Sequence, residues 1–503
     1  MASNLQGLPI ELLNEICSCF CSHRIFTQQC HQDEPDCFAL SDSWSLIALC
    51  STSRLLRDVG MPYLYRYMSI RLDEYHDPYN EEDGTVRRTH APLVLLLRAL
   101  IERPDIADQV RGIEITGVED LSRIDWTETE RLVYEGALRC NLALASNWHS
   151  YEPLTFEPKI DAQELFVELL LLLPRNLRKI KIEVQNTWWF QRLETPADAS
   201  RPPPCLPALT VLSITPPPPS YTGSPWGFKV TDVQPIMRIA PLLHTFVSSL
   251  CAYSPDLPCP GIAHVKNLYL SSSSTPRDRF EEIIASHSRL ENFEFFMDNL
   301  HGAYTFPAWE VIGVLRRHHA KSLRKMSVDL AARWTPNRVR NPKHPDDGLS
   351  MKEFTNLEIL HIYNYHPLII RHFGLPQPSE LINFMPQDSI KKLYFCTYRL
   401  EPVVLRALKA LASAIEFEGR FLCLREIRIG PADSAQHWMS SVYGIMVDED
   451  KHVSLKARRE MARALQTRFA HLGVELLVML SVDVISDSPP DDTDSSSATA
   501  QAS

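Results

Sequence analysis

The stretch 290–430 repeats one short pattern five times: LENFEFF at 290–296, LRKMSVD at 323–329, LEILHIY at 357–363, IKKLYFC at 390–396 and LREIRIG at 424–430. Each copy has large apolar residues at its first, fourth and sixth positions. Apolar residues two apart in a short run lie on the same face of a β-strand. The copies start at 290, 323, 357, 390 and 424, which are steps of 33, 34, 33 and 34 residues. Single matches to so loose a pattern mean little. A nearly constant period is the signature of stacked repeats, none of which buries its apolar face alone.

Outward from this stretch the pattern continues. It recurs at Tyr65/Met68/Ile70, Val110/Ile113/Ile115, Leu177/Ile180/Ile182, Leu209/Leu212/Ile214, Leu243/Phe246, Val265/Leu268/Leu270 and Val474/Leu477/Met479. Helical segments precede many of the strands: 92–101, 161–173, 277–286, 309–318, 403–415 and 455–471. Alternating helix and strand with a repeat period predicts an α/β solenoid. Long insertions fall between 65 and 110, 110 and 177, and 424 and 474. An ordinary α/β domain with evenly spaced strands is the competing architecture.

Composition narrows the function. The chain of 503 residues carries 51 Lys+Arg against 62 Asp+Glu, a formal net charge of −11. Generic binding to nucleic acid or an anionic membrane needs a cationic face, so neither is expected. There are 37 Pro but only 17 Gly. Glycine lets backbone approach a phosphate closely, and no GxGxxG or GxxxxGK[ST] occurs. HExxH and GxSxG are also missing, so no catalytic residue and no cofactor is assigned. Pro202–Pro204, Pro216–Pro219, Pro235 and Pro241 flank strands, where proline stops extension and stiffens a connection. No basic segment followed by an apolar core opens the sequence. The most apolar run, 165–173, is interrupted by Glu168 and falls short of the ~20 residues of a membrane span. A soluble chain of the cytosol or nucleus is the expectation.

Five of the twelve cysteines crowd the first forty residues: Cys17, Cys19, Cys21, Cys30 and Cys37, with His23 and His31 among them. Thiolate and imidazole suit zinc, but the spacing lacks paired CxxC ligands, so no metal site is assigned. His318 and His319 have no acid or Cys spaced to complete a site either.

The first sixty residues predict three short amphipathic helices. LPIELLNEI at 8–16 places Pro9 in a first turn, where its missing N–H costs nothing, and Glu11 near the positive helix end. Leu8, Leu12, Leu13 and Ile16 share one face. Leu46, Ile47, Leu49 and Cys50 form a second short apolar face. Ser51, Thr52 or Ser53 caps a third helix, which carries Leu55, Leu56 and Val59 and which Gly60 and Pro62 are expected to end. So small a module keeps an apolar stripe to spare, which suits a partner helix or groove. A plain helical cap on the following domain is the other reading.

These residues resemble a known family. Leu8, Pro9, Glu11, Leu12, Leu13 and Ile16, followed by Leu46, Ile47, Leu49, Thr52, Ser53, Arg54, Leu56, Arg57, Val59, Pro62, Leu64 and Tyr65, are similar to the F-box, especially its fungal form. The repeat region is similar to irregular leucine-rich repeats of the kind that follow such F-boxes. Its period exceeds the usual 20–29 residues, and its Asn/Cys ladder position is mostly missing. The combined resemblance implies an all-α F-box at 1–66 with an insertion at 20–43, a leucine-rich-repeat-like α/β solenoid at 67–480, and a Ser-rich acidic tail at 481–503. It implies that Leu8, Pro9, Glu11, Leu12, Leu13, Ile16, Leu46, Ile47, Leu49 and Leu56 bind the SKP adaptor of a cullin–RING ubiquitin ligase. The chain would then be a non-catalytic substrate receptor. A scaffold that binds the adaptor without reaching the cullin is the alternative.

In such a solenoid the strands line the concave face, and residues flanking the inward positions point away from the core. Tyr269, Phe296, Tyr363 and Tyr394 fall at equivalent or nearly equivalent places, and His361 is another of these flanking residues. An exposed aromatic column among charges suits a protein substrate, since aromatics are enriched at binding hot spots, although strand surfaces favour aromatics in any case. Trp188, Trp189 and Phe190 form a second aromatic cluster after the Ile180 strand.

Overall fold

In the computed structural model, the described residues are 8–20, 43–71, 92–117, 126–144, 158–183, 190–194, 196–215, 230–249, 262–273, 277–297, 308–329, 350–363, 382–396, 402–430 and 455–479. The expectations for residues 21–42, Trp188, Trp189, Pro216–Pro219 and the segment from 480 onward lie outside them. The chain divides into two compact units, Met1–Leu357 and Glu358–Ser503.

The first unit opens with three helices: α1 (Ile10–Phe20), α2 (Ser43–Thr52) and α3 (Arg54–Leu64). Eight strands follow: β1 (Tyr67–Arg71), β2 (Gly112–Thr116), β3 (Lys179–Glu183), β4 (Val211–Thr215), β5 (Thr245–Ser249), β6 (Asn267–Ser273), β7 (Asn292–Met297) and β8 (Lys325–Asp329). Between them run α4 (Pro92–Glu102), the short α5 (Pro104–Ala107), α6 (Trp126–Cys140), α7 (Pro158–Leu172), the short α8 (Gln234–Arg238), α9 (Arg277–Ser286) and α10 (Ala308–His319). Each strand pairs in parallel with the strand before it in sequence, from β1 to β8. The second unit holds β9 (Ile359–Tyr363), β10 (Lys392–Cys396), α11 (Pro402–Glu418), β11 (Glu426–Gly430), α12 (Leu455–His471) and β12 (Glu475–Val478). It too is parallel and in sequence order. This is the α/β, solenoid-like alternation expected from the repeat period. Parallel strands need crossover connections, and helices supply many of them among the described residues.

The alternation sets the register. Ile113, Ile180, Leu212, Phe246, Leu268, Phe293 and Met326 pair in succession across β2–β8, and all are buried. Leu360, Leu393 and Ile427 do the same across β9–β11. The last copy departs from the sequence pattern by one residue. Ile427 pairs with Leu476 and Ile429 with Val478, whereas apolar spacing predicts Leu477 and Met479 inside. Met479 is 41% exposed. The cause is the end of α12. Gly473 takes φ 73°, Val474 N donates to Phe469 O at 2.9 Å and Gly473 N to Ala470 O at 3.1 Å. That is a Schellman closure. It delivers the chain to the sheet one residue early.

Helix α6 is an element that the apolar pattern does not announce. Its buried face is Thr129, Leu132, Val133, Gly136 and Ala137, in which Leu132 and Val133 are the only large aliphatic residues. Asn141 ends it at φ 56°, with Leu142 N closing on Ala137 O at 2.9 Å. The Asn141 side chain donates to Asp198 O and Pro202 O and accepts from Asp198 N, so it ties α6 to the loop before β4. His319 performs a similar task between neighbouring repeats. Its Nδ1 accepts from Leu290 N at 3.4 Å, and its Nε2 lies 2.8 Å from Ile284 O. These partners fix a neutral ring with the proton on Nε2, and burial lowers its pKa.

Candidate docking surfaces

The three-helix module is held by its own core. Leu13 and Cys17 from α1, Leu46 and Cys50 from α2, and Leu56 and Val59 from α3 are buried together, with Leu8, Phe20, Leu49, Tyr63 and Leu64 packed around them. Ser53 caps α3 by accepting a hydrogen bond from Leu56 N at 3.1 Å. Gly60 does not end α3 as expected; the helix continues to Leu64 with Pro62 in its last turns. A Cβ on Gly60 would lie 2.5 Å from Cys50 Sγ, so glycine here lets α3 press against α2. Pro62 has no N–H to donate to Asp58, so one helical hydrogen bond is missing from the last turns. Burial raises the pKa of both Cys17 and Cys50, which makes these thiols poor metal ligands and poor nucleophiles in the closed module.

This packing sorts the ten residues expected to meet an adaptor. Leu13, Leu46 and Leu56 face the module's own core and are not presented to a partner. Leu8, Ile16 and Leu49 are half-buried, while Pro9, Glu11, Leu12 and Ile47 are exposed. Leu12 is 51% and Ile47 40% exposed. Two large apolar residues outside the expected set join them: Ile10 at 54% and Leu55 at 39%. In a module that already has a filled core, this much exposed aliphatic surface over three helices is unspent hydrophobic area. Helical spacing shows which residues share a face. Only the packing of the three helices shows which face is left over.

The second surface is the strand face opposite the helices. In the first unit it is a polar ladder. Ser69, Glu114 and Lys181 are register partners; Ser69 Oγ donates to Glu114 at 2.9 Å, and Lys181 Nζ pairs with it at 3.0 Å. Further along, Asn292 Nδ2 donates to Asn267 Oδ1 at 2.7 Å and Asn267 Nδ2 to Thr245 Oγ1 at 2.8 Å. Ser327 donates to Glu294 at 3.1 Å. The expected exposed aromatic column is corrected here. Tyr269 is only 6% exposed, and Lys325 Nζ lies 6.0 Å from its ring centre. Tyr269 shares its register position with Glu294, so Phe296 falls two residues further on. The side chain of Phe296 lies outside the described residues.

In the second unit the aromatic residues do come together. His361 pairs in register with Tyr394, and Tyr394 with Arg428. The His361 and Tyr394 ring centres are 4.5 Å apart, and the Arg428 guanidinium lies 5.2 Å from the Tyr394 centre. His361 is buried, also against expectation, while Tyr363 and Tyr394 are half-buried. Tyr394 Oη donates to Glu426 at 3.2 Å; Lys392 Nζ lies 3.1 Å from Glu426, and Arg428 also pairs with it. Burial works to raise the Glu426 pKa, but Lys392 and Arg428 outweigh it and hold the carboxyl below its usual range. The result is a pre-ordered patch of ring, cation and carboxylate, with Tyr363 beside it at 6.3 Å from His361.

Among the described residues no three His, Cys, Asp or Glu side chains are grouped to hold a metal, and no helix is long and apolar enough to cross a membrane. No family model matches the chain, and no curated protein matches its sequence.

Proposed function

We propose that the chain is a substrate-recognition subunit of an SKP–cullin–F-box ubiquitin ligase. In this reading α1–α3 bind the SKP adaptor, and the strand face binds the protein to be ubiquitinated. The observation that carries it is the exposed aliphatic set on a module whose core is already complete: Leu12 and Ile47, with Ile10 and Leu55. Such a surface fits a partner groove read by apolar anchors. The F-box-like motif in the same helices supplies the identity of that partner. The His361–Tyr394–Arg428–Glu426 patch supports the substrate half, because rigid aromatics and arginine are the side chains that most often anchor protein interfaces. Ubiquitin transfer itself belongs to other subunits.

The test pairs surface with core. Leu12→Asp with Ile47→Asp abolishes co-purification of the SKP adaptor while thermal unfolding stays unchanged. Leu8→Ala with Pro9→Ala weakens it in the same way. Adaptor recovery equal to wild type in the Asp pair, with the fold intact, refutes the assignment.

A further inference from the structure

The outer surface of the second unit carries a charge pattern that neither docking surface uses. Helices α11 and α12 follow strands that pair in parallel, so they run side by side in the same direction. Their relative level is fixed by Arg468 of α12, which reaches Glu416 at 2.6 Å and Ser413 at 3.1 Å on α11. Arg463, Arg459 and Lys456 lie five, nine and twelve residues before Arg468, which at ~100° per residue turns all three to the side of α12 away from α11. These three exposed cations share the N-terminal half of α12. Glu460 is the one acid in residues 455–463. Among the described residues none of the three cations has a carboxylate partner. An open depression of about 230 Å³ is lined by Lys456, Arg459, Glu460 and Arg463. A chain of net charge −11 gathers three exposed cations and a single acid around this depression.

The opposite charge is close by in sequence. After Arg468 there is no further Lys or Arg, while Asp483, Asp487, Asp491, Asp492 and Asp494 follow β12. The topology delivers this segment to the basic end. Gln466 Nε2 donates to Leu476 O at 3.2 Å, so mid-helix lies beside mid-strand, and the chain reverses between them at Gly473. Residues before Gln466 therefore run alongside the path taken after Leu476. The strand leaves the unit at the end where Lys456, Arg459 and Arg463 stand. Twelve residues from Met479 to Asp491 span up to ~40 Å when extended. The basic half of α12 is only ~12 Å long at ~1.5 Å per residue.

We propose that the acidic segment 483–494 docks on the basic face of α12 formed by Lys456, Arg459 and Arg463, and so shields it from acidic partners. Docking within one chain needs no great affinity, because the short tether holds the segment at an effective concentration in the millimolar range. Charge pairs on an exposed face are individually weak and are screened by salt within ~10 Å at 0.1 M, so the docked state responds to ionic strength.

Zero-length carbodiimide cross-linking of the full chain at low salt tests the contact, with peptides mapped by mass spectrometry. Monomer cross-links joining Lys456 to residues 483–494 are expected, and they disappear in 0.5 M salt and in the Arg459→Glu, Arg463→Glu variant. Absence of such cross-links overturns the proposal. So does their replacement by links to Asp448, Glu449 or Asp450, or their restriction to dimers. A labelled twelve-residue poly-aspartate peptide provides a second reading. It binds a variant with the five tail aspartates changed to Asn at least tenfold more tightly than wild type. Equal binding to the two chains overturns the proposal as well.

Discussion

Glu168 should give the fold a pH dependence that one substitution removes. It sits on α7 with no exposed surface, four residues after the buried Glu164. Arg192 Nη1 lies 3.2 Å from its Oε2 and 3.9 Å from Glu164. Its Oε1 has no hydrogen-bond partner among the described residues. Burial dominates and the Arg192 charge only partly offsets it, so the carboxyl is pushed up from 4.5 to about 8. The unfolded chain ionises this group near its ordinary pKa, while the folded chain resists ionisation. Stability from this group is therefore complete below about pH 4.5 and is lost as pH rises through about 8. At ~1.4 kcal/mol per pH unit, the loss between pH 5 and pH 9 comes to roughly 4 kcal/mol. Glu168→Gln keeps the shape and an acceptor for Arg192 but has no proton to release. Urea unfolding at pH 5, 7 and 9 is the assay. The stability of the variant relative to wild type should climb by about 3–5 kcal/mol from pH 5 to pH 9, since other titrating groups cancel in the difference. Parallel curves, within about 0.5 kcal/mol over that range, would refute the assignment of Glu168 as a buried neutral acid.

Two further predictions concern packing. Gly60→Ala gains about 1 kcal/mol of helix propensity but forces a methyl group against Cys50 Sγ at an overpacking cost of about 1–3 kcal/mol. Alkylation of the buried Cys17 thiol should therefore be faster than in wild type, by up to about tenfold per 1.4 kcal/mol lost, and Cys50→Ala in the same chain should suppress the effect. Equal labelling rates in all three chains contradict this packing conflict. Asn141→Ala removes three hydrogen bonds and leaves a left-handed backbone without its favoured residue, so calorimetry should show about 3–5 kcal/mol of lost stability. Asn141→Gly should recover only about 1 kcal/mol of that, and Ala and Gly variants both as stable as wild type would argue against the clamp.

The strands are legible because a period of two marks a half-buried strand and a period near 33 marks its repetition, so Leu360, Leu393 and Ile427 align on spacing alone. Elsewhere, tertiary detail overrides a local template. The Schellman turn at Gly473 shifts β12 by one residue, a difference of hydrogen bonding that leaves no trace in apolar spacing. Gly60 carries the letter of a helix stop, yet it serves as a contact between helices. At the docking surfaces, Leu12 and Leu13 have the same chemistry and adjacent numbers. One is half exposed and the other buried, because the direction of the core depends on α2 and α3. Tyr269 and His361 are covered by side chains from neighbouring strands, which single-strand reasoning does not see. The partnership of Glu168 with Arg192 is hidden for a related reason: the arginine lies beyond β3, so the acid that interrupts an apolar run meets its hydrogen-bond partner only in the folded chain.

The strictly sequential pairing of the strands bears on how the chain reaches its fold. Within each unit a strand needs only the strands before and after it in sequence. The loops that must close are thus set by the repeat length and not by the length of the chain. Loop-closure entropy grows slowly with length, and folding speed tracks the mean sequence separation of contacts relative to the whole. Structure can start at any well-formed repeat and spread to both sides, much as a ribosome releases the chain one unit at a time. Added residues between strands lengthen one closure and leave the others untouched. The long connections before β2, β3 and β12 are therefore kinetically cheap places for this protein to carry extra sequence.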